Sequence, residues 1–229
     1  MSVLEISELS YRYKNSRENI LLDVNQTFEL GQFYAIIGSS GAGKSTLLSL
    51  LAGLDEPQEG NIYFENEDIK KKGCSYHRRN HISLVFQNYN LIDYLTPLEN
   101  VRLVNKKASP SLLLELGLNQ DQIKRNVMKL SGGQQQRVAI ARALASHAPI
   151  ILADEPTGNL DNSAANEIIE ILKKWLKKEI NVLSLSHIAK KLQIVQMLFW
   201  NSRIRDYRLL NGRIRYDKKC ICICNKKKA

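Results

Sequence analysis

The chain has 229 residues, 44% hydrophobic and 7% aromatic, with 33 Lys and Arg against 23 Asp and Glu for a formal net charge of +10. A chain of this length buries roughly 70% of the surface it would expose unfolded, so one large domain or two small ones can hold together without disulfides or a structural metal. Residues 1–200 carry 23 basic and 21 acidic side chains and residues 201–229 carry ten against two; this excludes a uniformly basic nucleic-acid-binding face and leaves a near-neutral body with a basic end suited to an anionic membrane surface.

No run approaches the roughly 18 apolar residues of a membrane span. The start, Met1-Ser-Val-Leu-Glu-Ile6, lacks the basic and apolar regions of a signal peptide, so a cytosolic location is expected. Cys74, Cys220, Cys222 and Cys224 are then expected to stay thiols.

Residues 3–12 alternate loosely, 27–30 lead to Gly31, and 33–37 form a short apolar run; each reads as a strand. Residues 46–52 are helix formers ending at Gly53, with Pro57 and Gly60 marking a turn. Strands are predicted at 61–64 and 81–86, separated by the polar segment 65–80. Over 88–130 Leu, Asn and Lys dominate, Pro97 and Pro110 interrupt, and 111–116 and 120–128 read as helices, which together suggest a helical subdomain inserted into a sheet domain. A helix at 134–146, a buried strand at 150–153, an amphipathic helix at 163–178 and a strand at 181–185 follow. Strands alternating with helices imply a largely parallel α/β sheet. Asn211-Gly212 predicts a late hairpin. The Cys220, Cys222 and Cys224 row is read as a terminal strand or frayed tail, since its spacing is not that of a zinc site.

Gly38, Ser39, Ser40, Gly41, Ala42, Gly43, Lys44, Ser45 and Thr46 fit Gly-x-x-x-x-Gly-Lys-Ser between an apolar strand and a helix. Glycines let the backbone curl so that successive N–H groups face inward, and the helix start adds partial positive charge: a nest for a polyphosphate. Lys44 would reach the β and γ phosphates, and the Ser45 hydroxyl is placed to ligate Mg²⁺. The loop alone says that a nucleoside triphosphate binds and does not choose among kinase, GTPase, motor and transport ATPase.

Leu130-Ser-Gly-Gly-Gln-Gln-Gln-Arg137 sets Ser131, Gly132, Gly133 and Gln134 at a second glycine-rich helix start. One nucleotide does not need two such ends from one chain, whereas two chains head to tail do, so a nucleotide-dependent dimer with two-fold symmetry is predicted. Ile150-Ile-Leu-Ala-Asp-Glu155 is an apolar strand ending in two carboxylates. Asp154 would accept hydrogen bonds from Mg²⁺-bound water, and Glu155 would polarise the attacking water.

With these motifs the chain resembles the ATP-binding subunit of an ABC transporter from about residue 7 to residue 187. The run 130–144, together with Ala153-Asp-Glu-Pro-Thr-Gly-Asn-Leu-Asp161, is similar to the lipoprotein-release, macrolide-export and antimicrobial-peptide subfamily. The resemblance implies a P-loop NTPase fold: a largely parallel central sheet, an N-terminal antiparallel β subdomain and an inserted helical subdomain. It implies an ATP-binding domain over 1–216, with the insertion at about 88–130 and a basic tail at 217–229. It further implies that Tyr13 stacks on adenine, with Tyr11 the alternative, and that Gln87 contacts Mg²⁺ or the attacking water. Asp161 would lie in a loop that communicates across the dimer, and His187 would contact the γ phosphate.

The implied reaction is Mg²⁺-dependent hydrolysis of ATP to ADP and phosphate. The implied partners are a second copy of the chain and a transmembrane permease docking near 88–94, with no nucleic acid. The subunit would sit in the cytoplasm, peripheral on the inner face of the cell membrane, and power export or extraction of a peptide, lipoprotein or antimicrobial compound. Two features depart from the pattern: the stretch 101–129 is short, and Ser186-His187-Ile188 replaces the usual Thr-His-Asp. Two other readings stay open, a soluble ATPase of the same type acting on ribosomes or DNA, and a nucleotide-binding switch with little turnover.

Overall fold

Alternation along β1 (Ser2–Tyr11) sends Leu4 and Ile6 into a core, and a register shift between Ile6 and Leu9 brings Leu9 into it as well, each 2% exposed or less. β1 pairs antiparallel with β2 (Leu21–Glu29) and with β4 (Glu59–Phe64), and β5 (Glu67–Asp68) completes a sheet of order β2-β1-β4-β5. The computed structural model describes residues 2–14, 16–31, 33–38, 41–176, 181–187, 209–210, 213–214 and 220–222.

Among these residues a second sheet has the order β11-β3-β8-β7-β6, with every neighbouring pair parallel. Its strands are β3 (Phe33–Gly38), β6 (Ile82–Val85), β7 (Ile150–Ala153), β8 (Asn181–His187) and β11 (Cys220–Cys222). α1 (Lys44–Leu51) follows β3, and α7 (Asn162–Leu176) makes the crossover from β7 to β8. The central parallel sheet and the N-terminal antiparallel sheet are both as expected.

β7 shows why two cores form. Ile150 and Leu152 join the cluster of α1 and the antiparallel sheet, whereas Ile151 and Ala153 join a second cluster with the helical segment, because successive strand residues face opposite sides. The second cluster takes Val101, Leu113, Ile123 and Val127 from the inserted segment and packs them on α6 (Gly132–Ala145).

Local chemistry moves several expected boundaries. Pro97 and Pro110 start helices instead of interrupting them: α3 (Pro97–Arg102) is capped by Thr96 with Glu99 closing a capping box, and α4 (Pro110–Glu115) is capped by Ser109. Proline fits there because a first-turn N–H has no intrahelical partner to lose. The helix expected over 120–128 is α5 (Gln120–Lys124) followed by a 3₁₀ turn, Val127–Lys129, separated by an extended Arg125. The polar segment 65–80 holds β5 and α2 (Cys74–Asn80), whose lack of apolar periodicity hid them. The late hairpin is present as β9 (Leu209–Leu210) antiparallel to β10 (Arg213–Ile214), its Asn211-Gly212 turn lying outside the described residues. Of the two readings of the cysteine row, the strand holds for Cys220–Cys222, paired with β3 from Ala35 to Ile37; Cys224 is outside the described residues.

Candidate functional site

Parallel α/β sheets bind ligands beyond the carboxyl ends of their strands, and the motifs converge there. β3 ends at Gly38 and β8 at His187, which are register partners, while β7 ends at Ala153, directly before Asp154 and Glu155. The His187 backbone thus stands beside the first residue of the phosphate loop; its side chain, like Ser39 and Ser40, lies outside the description.

Gly41 and Ala42 lead into Gly43, the N-cap of α1, at φ +88°. A β-carbon at Gly43 would stand 2.8 Å from Ile20 Cγ2 and 3.1 Å from Leu21 Cδ2, so both conformation and space require glycine. α1 has no side-chain cap and no acidic residue in its first turn, which is the arrangement of a helix start that serves an external anion. Lys44 is 6% exposed and the Ser45 hydroxyl donates to Asp154 Oδ1 at 3.4 Å, so the loop and the end of β7 meet at one point.

The Asp154 N–H donates to the Val85 carbonyl at 2.8 Å, tying this carboxylate to the end of β6. Glu155 turns away from the strand with φ +45°. A non-glycine residue there costs about 1–3 kcal/mol and is kept where surroundings impose it, most often at a functional site.

Tyr13 and Tyr11 are separated by burial. Tyr11 is 7% exposed and belongs to the core, whereas Tyr13 is 46% exposed and its hydroxyl lies 2.9 Å from Thr46 Oγ1 in the first turn of α1. Their rings meet edge to face with centroids 5.2 Å apart.

Gln87, just past β6, is engaged with a residue the sequence reading did not single out. Its Nε2 donates to Asn159 Oδ1 at 3.1 Å, and Asn159 Nδ2 donates back to the Gln87 carbonyl at 3.1 Å. These residues are 72 positions apart, so no local pattern joins them. Asp161 caps α7, accepting from the Ala164 N–H at 2.9 Å, a role its place before a helix would have suggested.

Ser131 is the N-cap of α6: its hydroxyl accepts from the Gln134 N–H at 3.4 Å, and Gln134 Oε1 accepts from the Ser131 N–H at 3.0 Å, a complete capping box. Between this helix start and residues Asn159, Asp161 and Ala164 lies a cleft of about 370 Å³. Arg137 closes one side of it, paired with Glu167 of α7 and donating to the Gly117 carbonyl at 3.1 Å. Arg142 donates to the carbonyls of Tyr89 at 3.0 Å and Asn90 at 2.6 Å, and burial pulls its guanidinium below the usual range. Arg137 and Arg142 stand on a helix legible in sequence, but their partners are set by tertiary packing.

Comparison with known proteins gives the family. A family model described as ABC transporter matches residues 21–158. The ABC transporter ATP-binding protein YclH of Bacillus subtilis is 42% identical over 189 residues, covering 78% of this chain and 84% of that protein. The lipoprotein-releasing system ATP-binding protein LolD of Ehrlichia ruminantium is 39% identical over 215 residues, covering 85% and 94%. The chain is also similar to the dimeric ABC transporter cassette MJ0796, with a TM-score of 0.72 and 36% identity over 83% of this chain and 90% of that one. The same cassette in a dimeric post-hydrolysis state bound to ADP and Pi matches with a TM-score of 0.70 over 80% and 88%. Phosphate loop, signature helix start and strand-end carboxylates on this fold, together with these matches, make the chain a member of the ABC transporter ATP-binding family.

Proposed function

We propose that the chain hydrolyses ATP with Mg²⁺ and uses the energy to drive a membrane exporter of peptides, lipoproteins or antimicrobial compounds. The observation that carries this reading is the meeting of Ser45 with Asp154 at 3.4 Å, which brings the phosphate loop and the carboxylate pair into one site.

The donors fit Mg²⁺. A hydroxyl and a carboxylate are hard oxygen ligands, and magnesium is usually held by one or two carboxylates together with substrate phosphates and water. Among the described residues no cluster of three His, Cys, Asp or Glu exists, so nothing there favours a softer ion. Ser45 and Asp154 would hold the ion, with Gln87 within the same set after leaving Asn159. When bound, the ion neutralises charge on the β and γ phosphates.

The remaining roles are assigned from the motifs. Residues 38–46 cradle the phosphates, with Lys44 offsetting their charge and Tyr13 stacking on adenine. Glu155 orients and polarises water, and His187 contacts the γ phosphate from the end of β8. In the ATP-bound dimer, residues 131–134 and Asp161 of the partner copy cover the phosphates, and the 370 Å³ cleft at that helix start supports this sharing. Closure gives ATP a different affinity for the open and closed states, which is the condition for driving a conformational change.

The permease would dock against 88–94, where Tyr94 is 81% exposed, and would hold the subunit on the inner face of the membrane. The ATP-binding domain would span 1–216 with its helical insertion at 88–130, and within 217–229 the strand Cys220–Cys222 joins its parallel sheet beside β3. No described helix is long and apolar enough to cross a membrane itself.

Glu155→Gln is the test of this reading. Turnover should be abolished while ATP traps a stable dimer, measured by phosphate release and gel filtration; equal hydrolysis by the wild type and the variant would remove Glu155 from the mechanism. Recovery of a permease from detergent-solubilised membranes is expected, and recovery of ribosomes or DNA instead would contradict the transport role.

A further inference from the structure

Gln136, in the second turn of α6, is 0% exposed, and neither its side-chain nitrogen nor its oxygen has a hydrogen-bond partner. Each buried polar group left unpaired costs about 1–3 kcal/mol, and native interiors hold few of them. Another fully buried amide shows the usual outcome. Asn100 accepts from the Ile92 N–H at 2.7 Å and donates to the carbonyls of Ile92 and Thr96 at 3.2 Å each.

The surroundings indicate what the Gln136 amide is for. Gln136 lies four residues after Gly132 and three after Gly133, on the same face of α6, and long helical side chains lean back over the preceding turn. At that turn a β-carbon on Gly132 would stand 2.9 Å from the Tyr89 hydroxyl, so the glycine is what lets the hydroxyl come this close. The loop carrying Tyr89 follows Gln87 directly, and Tyr89 and Asn90 hold φ of +60° and +47° in succession. Two consecutive left-handed non-glycine residues are an expensive backbone, of the kind found in switch segments.

We propose that Gln136 is a positioning residue of the nucleotide cycle, its amide being the partner that the Tyr89 hydroxyl takes up when the loop after Gln87 shifts in the ATP-bound state. Buried and unpaired, the amide raises the energy of the conformation in which the Tyr89 hydroxyl stands at Gly132; paired, it loses that penalty when the loop shifts. The switch is thereby biased towards the closed dimer by a residue that does not touch ATP. This inference rests on the ATP-driven closure proposed above.

Gln136→Met removes the amide and keeps an unbranched side chain; Tyr89→Phe removes only the hydroxyl. Both are made in the full chain and measured by steady-state ATP hydrolysis, by urea unfolding without nucleotide, and by ATP-trapped dimer in the Glu155→Gln background. Gln136→Met should leave the urea midpoint unchanged or raise it while kcat falls about three- to tenfold, the effect of one net hydrogen bond, at constant KM. Tyr89→Phe should lower kcat to the same extent, and the double variant should fall no further than either single one. A Gln136→Met protein that is less stable yet hydrolyses at the wild-type rate would show an amide satisfied throughout the cycle, by internal water for example, and would overturn the inference. Wild-type turnover by Tyr89→Phe would overturn it as well. Failure of the Glu155→Gln parent to dimerise with ATP would reject the closure reading itself, whereas a parent that dimerises equally with and without the Gln136 amide rejects the inference alone.

Discussion

The glycine-bearing starts of α1 and α6 are built in opposite ways. α1 begins at Gly43 with a left-handed backbone and no side-chain cap, whereas α6 begins at Ser131 with a capping box closed by Gln134. A helix start always leaves N–H groups without intrahelical partners. At α1 Gly43 offers no side-chain cap, and Lys44 adds a full positive charge; at α6 Ser131 and Gln134 already answer two of the donors. Under the proposed function the first end would hold phosphate by itself, and the second would be a preformed surface that meets a nucleotide held by the other copy. One chain carrying both is what the proposed sharing of a nucleotide between two copies requires.

That contrast can be broken at either end. The largest effect is expected from Lys44→Ala, which removes the charge at α1 and should lower kcat by about 10²- to 10³-fold, the scale of losing one strong electrostatic donor; ATP-dependent phosphate release checks it. Gly43→Ala should come next, since alanine must adopt φ +88° at a cost of about 1–2 kcal/mol and collide with Ile20 as well. A lower melting temperature together with weaker ATP binding is the expected result, measured by calorimetry and nucleotide titration.

The far ends of the helices differ too, and pH separates them. α6 ends with the Ser146 hydroxyl donating to the Ala143 carbonyl at 2.6 Å. Near the end of α1, the Leu51 carbonyl accepts from His77 Nε2–H at 3.0 Å. With Nε2 carrying the proton, a neutral His77 accepts at Nδ1 in its 3.0 Å contact with His81 Nδ1, and burial favours that neutral ring. Burial is the main cause that lowers its pKa from 6.5 to about 4; His81 and Arg78 lower it further, and the Leu51 carbonyl opposes them. With the folded value below the unfolded one, the stabilisation from a neutral His77 is complete above pH 6.5 and is lost as pH falls from 6.5 through about 4. Urea midpoints across that window should decline with acid, and His77→Phe should flatten the decline. The smallest effect is expected from Ser131→Ala, which loses a cap worth about 1 kcal/mol. ATP binding by a single copy should be untouched and the ATP-trapped dimer weakened; equal weakening of both would erase the distinction between the two helix starts.

Much of the site was legible because it is local. Gly43, Lys44 and Ser45 are neighbours in one strand–loop–helix unit, and an apolar strand such as Ile150–Ala153 announces the carboxylates that follow it. The helical insertion was harder to read, because Pro97 and Pro110 look like breaks until Thr96 and Ser109 are seen to cap the helices they begin. α2 had no apolar stripe to reveal it.

By itself the sequence determined the family and the fold class, since glycine-rich helix starts and βα alternation depend on neighbours along the chain. Tertiary structure decided that Tyr11 is taken by the core while Tyr13 is left exposed. It also decided that Gln87 pairs with Asn159 and that Gln136 is buried without a partner. Each of these depends on which surfaces meet when the two cores close on the central sheet, and packing between segments tens of residues apart leaves no spacing in the chain from which it can be read.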